Sequence, residues 1–299
     1  MPQDLSRYLV IAISSRALFD LEMENQIFDS QGAAAYEKYQ IEHEDEVLMP
    51  GPGFPLVQAI LRLNSAIREK RKAEVVIISR AGPSVALRIM NSIKHYSLDI
   101  TRAVFSKGTP VSSYLDAFSV TLFLSRNHTD VKAALDSKIA AGLLFASPNS
   151  YTEEIDEIRI AFDGDAVVFS DESERIYKRD GLGGFLKHEA ANAKKPLPEG
   201  PFAKLLKALS FLQSAQEQTP IRIRTALITA RNSPAHERVI RTLRSWKVEV
   251  DEMFFMGGVS KQKIVKAFNP HIFFDDQPVH CEPASEVAPT AIVPTDYAD

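Results

Sequence analysis

Short apolar runs alternate along the chain with stretches in which apolar residues recur at helical spacing. The runs are typical of buried parallel strands, and the amphipathic stretches are typical of helices packed on them. The predicted elements of the first half are residues 8–13, 54–67, 75–78, 85–96 and 121–124. Those of the second half are residues 158–162, 202–212, 225–228, 235–246 and 271–274. This alternation predicts an α/β protein of Rossmann-like lobes with mainly parallel sheets.

The order of elements in the first half returns in the second. Residues 79–127 align with residues 229–277 without a gap, and their apolar positions coincide. Any two strand-helix-strand units share some periodicity, so the alternative is that two unrelated α/β halves look alike. The long ungapped register favours an internal duplication, with one lobe at residues 1–150 and the other at 151–299. Beyond residue 277, prolines and small residues without helical period predict an extended C-terminal tail.

Composition narrows the class of protein. With 299 residues, 45% hydrophobic and 25% charged, the chain has the balance of a globular protein of two domains. No apolar run approaches the roughly 18 residues of a membrane helix, and the N-terminal segment lacks the features of a signal peptide, so we expect a cytoplasmic protein without membrane association. The single cysteine, Cys281, excludes an internal disulfide. A net charge of -4 argues against a nucleic-acid partner.

Two carboxylates follow the apolar run of residues 158–162. Asp163 and Asp165 flank a glycine, and side chains two positions apart on a strand point the same way. Ligands of open α/β sheets collect outside the carboxyl ends of the strands. Two neighbouring carboxylates repel each other unless a cation joins them, and magnesium is the natural partner. The alternative is a plain turn, because Asp and Gly are common turn formers.

Further polar residues follow later strands. They are Thr229, Lys261 after a Gly-Gly turn, and the pair Asp275 and Asp276. Separately they would be a helix cap, a surface charge and a turn. Together they supply a hydroxyl for phosphoryl oxygens, a cation for the phosphate charge, and oxygen ligands for Mg²⁺. The set therefore predicts a phosphoryl-transfer site.

This succession of motifs resembles the haloacid dehalogenase superfamily of phosphohydrolases and, more closely, the cytosolic 5'-nucleotidase I family. The closer resemblance is carried by the segments ISSRALFD (13–20), EKYQIEHE (37–44), AFDGDAVVFSDESERIY (161–177), LITARNSPAHERVIRTLR (227–244) and FFDDQ (273–277). It implies two haloacid dehalogenase-like lobes. It also implies magnesium-dependent hydrolysis of nucleoside 5'-monophosphates to nucleoside and phosphate through an aspartyl phosphate.

The resemblance implies roles for the residues at the strand ends. Asp163 would be the nucleophile and Asp165 the general acid and base. Thr229 and Lys261 would bind the phosphoryl group. Lys263 remains an alternative to Lys261, because the sequence does not fix the register of the loop.

The same resemblance implies the magnesium ligands. These would be the carboxylates of Asp163 and Asp275 together with the backbone carbonyl of Asp165. Asp276 would either join them or support them from outside the ion's direct contacts.

The first half lacks the carboxylates at the aligned positions. Ser14, Arg16, Ser79, Ser125 and Arg126 stand where the second half has Asp163, Asp165, Thr229, Asp275 and Asp276. Hydroxyl and guanidinium groups can bind an anion. We therefore expect a catalytically degenerate lobe whose Ser14, Arg16, Ser79 and Arg126 either line the substrate cleft as a cap or bind a nucleotide effector, for which the resemblance suggests ADP. The alternative is a purely structural lobe.

Two other functions remain open. One is a phosphatase for another small phosphomonoester, such as a sugar phosphate, and the other is a nucleotide-binding sensor with little turnover. Candidates for base recognition lie in residues 36–43 and 188–192, but we assign none of them. The choice among AMP, IMP and deoxynucleotides and the oligomeric state, including a homo-oligomer, are not fixed by the sequence.

Overall fold

A computed structural model describes residues 4–66, 73–146, 157–214 and 221–295. The chain divides into two compact units, Met1–Ile139 and Ala140–Asp299. Strands and helices alternate in both units, so the predicted α/β class with mainly parallel strands is confirmed. Among the described residues, none of the helices has both the length and the apolar composition that crossing a membrane requires.

The first unit places each strand before one or more helices. Its strands are β1 (Leu9–Ile13), β2 (Ala73–Ser79), β3 (Arg102–Phe105) and β4 (Leu122–Ser125). Its helices are α1 (Ser15–Leu18), α2 (Glu22–Gln31), α3 (Ala33–Glu42), α4 (Phe54–Ala66), α5 (Ala86–His95), α6 (Ser112–Ala117) and α7 (His128–Asp136).

The strands of the first unit form a parallel sheet in the order β3-β2-β1-β4. Every residue of β1, β2 and β4 is buried, as expected for continuous apolar runs in a sheet covered on both faces. Polar residues that follow β1, β2 and β4 consequently lie at one edge of this sheet.

The second unit has the same alternation. Its strands are β5 (Ala140–Leu144), β6 (Glu157–Phe162), β7 (Arg222–Thr229), β8 (Glu252–Phe255), β9 (Ile272–Asp275) and β10 (Thr290–Ile292). Its helices are α8 (Glu172–Ala191), α9 (Ala203–Ser214), α10 (His236–Trp246), α11 (Gln262–Phe268) and α12 (Pro278–Ser285).

The sheet of the second unit has the order β5-β10-β9-β6-β7-β8. Neighbouring strands are parallel except β5, which runs antiparallel to β10. Aromatic rings fill the core beside β6 and β9: Phe274 stacks on Phe162 at 5.6 Å and lies 4.7 Å from Phe202. Parallel pairing of β6 with β9 and with β7 places the carboxyl ends of these three strands at the same edge.

Four strands were not predicted from the sequence. β3 and β8 have only four residues each and are partly exposed, so neither forms a continuous apolar run. β5 and β10 are also short, and they contain small residues in place of large apolar ones. In β5, a Cβ on Gly142 would lie 2.8 Å from the Cβ of Ala291, so the close pairing with β10 requires glycine there.

Two features of the predicted domain organisation differ from the structure. The units divide at residues 139/140 and not at 150/151, because β5 pairs with β10 of the second unit. The predicted extended C-terminal tail is wrong for residues 278–292, which form α12 and β10. Proline is tolerated in the first turn of a helix, and Cys281 and Ala284 are buried on the inner face of α12. The segment 147–156 and the last four residues lie outside the described part.

Candidate active site

The carboxyl ends of three neighbouring parallel strands bring the predicted site residues together. Asp163 directly follows β6, Thr229 ends β7, and Asp275 ends β9. The Asp163 N–H donates to the carbonyl of Phe274 at 2.7 Å, which ties the end of β6 to that of β9. Thr229, Asp163 and Asp275 are all buried. The structure therefore assembles residues that are far apart in sequence at one edge of the sheet.

A lysine bridges two of these carboxylates. The Nζ of Lys261 lies 2.6 Å from Asp163 Oδ1 and 2.7 Å from Asp275 Oδ2, and its side chain is only 1% exposed. Lys261 immediately precedes α11, so its position is set by the start of that helix. Lys263 is exposed on α11. Of the two lysines considered from the sequence, the structure places Lys261 at the site.

Asp276 completes a cluster of three buried carboxylates. One oxygen from each of Asp163, Asp275 and Asp276 lies within 4.8 Å of the others. Asp276 Oδ1 is buried and accepts no hydrogen bond, whereas both other carboxylates bond to Lys261. A buried oxygen without a partner is costly, and three carboxylate oxygens are the donors that a hard divalent cation prefers. The residues present therefore fit a divalent metal ion.

Burial and mutual repulsion raise the pKa values of these carboxylates. Burial raises the pKa of Asp163 to about 7, even though the charge of Lys261 acts in the opposite direction. Burial and the charges of Asp163 and Asp275 raise the pKa of Asp276 to about 9, and burial also raises the pKa of Asp275. Burial alone would lower the pKa of Lys261, but Asp163 and Asp275 outweigh it and raise that pKa. Within the cluster, the single positive charge of Lys261 does not balance the negative charges that three ionised carboxylates would carry.

Asp165 lies outside the three-carboxylate cluster. Its oxygens accept hydrogen bonds from Arg231 Nε at 2.7 Å and Nη2 at 2.6 Å, a paired geometry typical of arginine and carboxylate. Its side chain is 18% exposed, whereas that of Arg231 is 2% exposed. The expected metal contact through the Asp165 carbonyl remains a prediction.

Arg231 belongs to a buried ionic network that the sequence analysis missed. Its guanidinium also donates to Glu189 and to the hydroxyl of Ser173, and Arg238 donates to the other oxygen of Glu189 at 2.8 Å. Both arginines fall in the segment 227–244 that carries the family resemblance. The resemblance in that segment could have marked the two arginines as functional residues. It does not show which acidic residues on α8 they contact.

Thr229 lies against the turn that follows Asp163. Its Oγ1 accepts the N–H of Arg231 at 3.3 Å. A Cβ on Gly164 would lie 3.3 Å from the same oxygen, so glycine lets the turn approach the hydroxyl. Thr229 and the turn after Asp163 therefore lie against each other at the sheet edge.

The aligned residues of the first unit occupy equivalent places at the edge of its own sheet. Ser14 follows β1, while Ser79 and Ser125 end β2 and β4. All three, with Arg16 and Arg126, line a cavity of about 640 Å³ within this unit. The role of this first lobe, predicted to be catalytically degenerate, stays a prediction.

The segments considered for base recognition have separate environments. Tyr36 lines the cavity of the first unit. In the second unit, His188 Nε2 lies 3.2 Å from Glu172 and also close to Arg238, within the ionic network. These contacts do not assign a base-binding role to either segment.

Comparisons with known proteins place the chain among nucleotidases. A family model described as 5'-nucleotidase matches residues 1–299. The chain is 35% identical over 293 residues to the human (Homo sapiens) protein cytosolic 5'-nucleotidase 1B. The matched residues make up 95% of the chain and 48% of the human protein. The chain thus spans about half the length of that relative. No solved structure matches the chain.

Proposed function

Because this chain belongs to the 5'-nucleotidase family, we propose that its second unit hydrolyses nucleoside 5'-monophosphates to nucleosides and inorganic phosphate. The observation that carries the proposal is the buried group of Asp163, Asp275 and Asp276 with Lys261 between the first two. A nucleophile, a cation and metal ligands are the parts that phosphoryl transfer to an aspartate requires.

The proposed reaction has two displacements. In the first, a carboxylate oxygen of Asp163 attacks phosphorus, the bond from phosphorus to the 5' oxygen breaks, and Asp165 gives a proton to the departing oxygen. In the second, Asp165 takes a proton from water as the water oxygen attacks the same phosphorus. The bond between phosphorus and Asp163 then breaks and releases phosphate. Two steps through a covalent intermediate divide one high barrier into two lower ones.

Lys261 and Thr229 would hold the phosphoryl group beside Asp163. The ammonium of Lys261 already contacts Asp163 Oδ1, so it is placed to offset charge as the anionic substrate approaches. Thr229 Oγ1 lies beside Gly164, where its hydroxyl could donate to a phosphoryl oxygen. Thr229 comes from the end of β7, and Lys261 comes from the start of α11.

Asp163, Asp275 and Asp276 would hold the divalent cation. When bound, it supplies positive charge that favours ionised Asp163 and offsets the charge of the phosphate. This matters because burial raises the pKa of Asp163 to about 7, and a protonated carboxyl group is a poor nucleophile. The unpartnered Asp276 oxygen supports this assignment and favours Asp276 as a direct ligand.

Asp165 must turn away from Arg231 to serve as acid and base. Both of its oxygens accept hydrogen bonds from that guanidinium, and its partial exposure leaves room for rotation about the side-chain bonds. Arg231 is held in place by hydrogen bonds to Glu189 and Ser173, so in the Asp165–Arg231 pair it is Asp165 that would move. We infer that this fixed arginine sets the resting position of Asp165.

We also propose that the two units arose by duplication of one haloacid dehalogenase-like lobe, which would make the first lobe degenerate. The strand orders β3-β2-β1-β4 and β8-β7-β6-β9 correspond, and several hydrogen bonds recur at the aligned positions. These include Ser14 N to Leu124 O with Asp163 N to Phe274 O, Ala81 N to Ser79 Oγ with Arg231 N to Thr229 Oγ1, and Leu48 N to Ser92 Oγ with Leu197 N to Thr242 Oγ1. The predicted cap or effector role of the first lobe and a homo-oligomeric state stay predictions.

The substrate and location are proposed by analogy with the relative. The human protein is named a cytosolic 5'-nucleotidase, and on that basis we propose a cytosolic location and a nucleotide substrate for this chain. The identity of the base and sugar is left to measurement.

Phosphate release from a panel of substrates tests the proposed function. The panel would contain nucleoside 5'-monophosphates and sugar phosphates, with and without Mg²⁺, for the wild type and Asp163→Asn. We expect release from nucleoside monophosphates that needs Mg²⁺ and is lost in Asp163→Asn. A preference for sugar phosphates would point to a different phosphatase, and absence of turnover with retained nucleotide binding would point to a sensor.

A further inference from the structure

Two carboxylates of the second unit share the guanidinium of Arg231. Its Nε and Nη2 donate to the two oxygens of Asp165, and its Nη1 donates to Glu189 Oε2. Its Nη2 also donates to the hydroxyl of Ser173 at 2.7 Å. The side chains of Arg231 and Glu189 are 2% and 0% exposed, whereas that of Asp165 is 18% exposed. Solvent therefore reaches Asp165 but hardly reaches the other two side chains.

Release of Asp165 would change the charge balance around Arg231. A buried guanidinium that loses its last carboxylate partner becomes an uncompensated charge, which is strongly unfavourable. Glu189 prevents this outcome, because it stays bonded to Arg231 when Asp165 turns away. Glu189 is itself held by Arg238 Nη1 at 2.8 Å and by the hydroxyl of Ser173 at 3.1 Å. Its position therefore does not depend on Asp165.

Each residue of this network has a counterpart in the first unit. Residues 14–51 align with residues 163–200 without a gap. The alignment pairs Gly32 with Gly181, two glycines with positive φ that lie at the break between α2 and α3 and at the kink inside α8. The two units can therefore be compared position by position around the buried arginines.

The first unit contains the same buried arginine with a different carboxylate partner. Arg238 and the aligned Arg88 are both buried, and both donate through Nε to a backbone carbonyl, at 2.9 and 3.1 Å. Arg88 Nη1 lies 2.8 Å from Glu24 Oε1 and 3.0 Å from Gln40 Oε1. Gln40 aligns with Glu189. The first unit thus holds this arginine with an amide at the position of Glu189, so the packing of the arginine does not require a carboxylate there.

The members of the shared contact differ together between the units. The first unit has Arg16, Ala81 and Gln40 at the positions of Asp165, Arg231 and Glu189. The carboxylate at position 189 therefore occurs in the unit that also has Arg231 and the aspartate bonded to it. Its negative charge matches Arg231, beyond what the structural arginine needs.

We propose that Glu189 is a positioning residue that acts through Arg231 and permits the release of Asp165 during the reaction. The inference rests on the proposed function, in which Asp165 gives a proton to the departing 5' oxygen. With Glu189 in place, Arg231 keeps one carboxylate while Asp165 turns to the leaving group. With an amide at position 189, Arg231 would lose its last carboxylate. Asp165 would then stay bonded to Arg231, and protonation of the leaving oxygen would slow.

A Glu189→Gln variant and a sulfur-substituted substrate test this proposal. In a nucleoside 5'-monophosphate whose bridging 5' oxygen is replaced by sulfur, the bond from phosphorus to sulfur breaks and the thiolate leaves with the bonding electrons, so no proton from Asp165 is needed. We expect Glu189→Gln to lower kcat/KM about tenfold to a hundredfold for the oxygen substrate and less than about threefold for the sulfur substrate. Because kcat/KM covers only the steps up to cleavage of this bond, the later hydrolysis of the intermediate does not enter.

Two further variants separate the proposed role from a general loss of structure. Glu172→Gln is the matched control, because Glu172 pairs with Arg238 and should change kcat/KM for the two substrates equally. Arg231→Ala removes the cation that Glu189 balances, and it introduces the residue found at the aligned Ala81. In the Arg231→Ala background, Glu189→Gln should change kcat/KM for the oxygen substrate by less than about threefold.

The outcomes distinguish this inference from the proposed function. Equal losses for the oxygen and sulfur substrates in Glu189→Gln would overturn the inference, as would an unchanged kcat/KM for the oxygen substrate. An undiminished effect of Glu189→Gln in the Arg231→Ala background would also overturn it. Failure of the wild type to hydrolyse either substrate would instead overturn the proposed function and, with it, the role of Glu189.

Discussion

Replacing Lys261 with methionine would remove the cation from the buried carboxylate cluster while keeping most of the side chain's apolar stem. Asp163, Asp275 and Asp276 are 4%, 0% and 5% exposed, so water cannot take the place of the ammonium group without rearrangement. In the wild type, Lys261 contacts two of the three carboxylates directly. The variant therefore leaves three buried acidic groups without a compensating charge.

Removing one partner of a buried ion pair costs about 3–5 kcal/mol. The pKa values of Asp163 and Asp276 already stand at about 7 and about 9, so these groups can take up protons and limit the loss. We accordingly expect a decrease of about 3 kcal/mol in the free energy of unfolding at pH 7 without divalent cations. For a domain of this size, each kcal/mol lowers the Tm by about 2–4 °C, which gives about 6–12 °C.

Urea unfolding followed by tryptophan fluorescence would measure this loss. The only tryptophan, Trp246, lies at the end of α10 and packs 5.6 Å from Phe169, so its emission reports on the second unit. Lys263→Met is the matched control, because Lys263 is exposed two positions further along and should change stability by less than about 0.5 kcal/mol. The reasoning is refuted if both variants unfold at the wild-type urea concentration.

Two further predictions concern stability. In metal-free buffer, stability should fall as pH rises from about 4 to about 9: the folded-state pKa values of Asp163 and Asp276 are raised from 3.8 to about 7 and about 9, so the folded state binds more protons than the unfolded state in this window. Urea unfolding midpoints measured at pH 5, 7 and 9 would check this decrease in stability, and a midpoint that rises with pH would contradict it. Added Mg²⁺ should stabilise the protein most at the highest of these pH values. Gly200→Ala should cost about 1–3 kcal/mol, because its Cβ would overlap the backbone of Phe169 and lie 2.6 Å from the Val167 carbonyl oxygen. Gly183→Ala, whose Cβ would meet nothing within 4 Å, is its control in the same thermal-unfolding series, and equal losses would show that the overlap is relieved at no cost.

The sequence was informative about the site because parallel strands impose a simple rule. Residues at the carboxyl ends of buried parallel strands meet at one sheet edge, and Asp163, Thr229 and Asp275 do so in the structure. The choice of Lys261 over Lys263 could not be made in the same way. It depends on where α11 begins, since that start directs Lys261 inward and leaves Lys263 exposed.

Residues whose positions depend on contacts between distant elements were harder to predict. Arg231 meets Asp165 and Glu189 only because the segment after β7 packs against the turn after β6 and against α8. Helix α12 was not predicted, because its prolines and small residues leave no regular helical spacing of large apolar side chains. Glu22 gave no signal at all, since its pairing with Arg16 and Arg126 appears only when α2 lies over the end of the sheet.

Trapping the covalent intermediate would test the central claim, that Asp163 is the nucleophile of the second unit. The enzyme would be mixed with a nucleoside 5'-monophosphate and Mg²⁺, quenched in acid during turnover and reduced with borohydride, which converts a phosphorylated aspartate to homoserine. Peptide mass spectrometry should then find homoserine at position 163 in the wild type, and none in Asp163→Asn or without substrate. Homoserine at another aspartate, with Asp163 unmodified during turnover, would contradict the account.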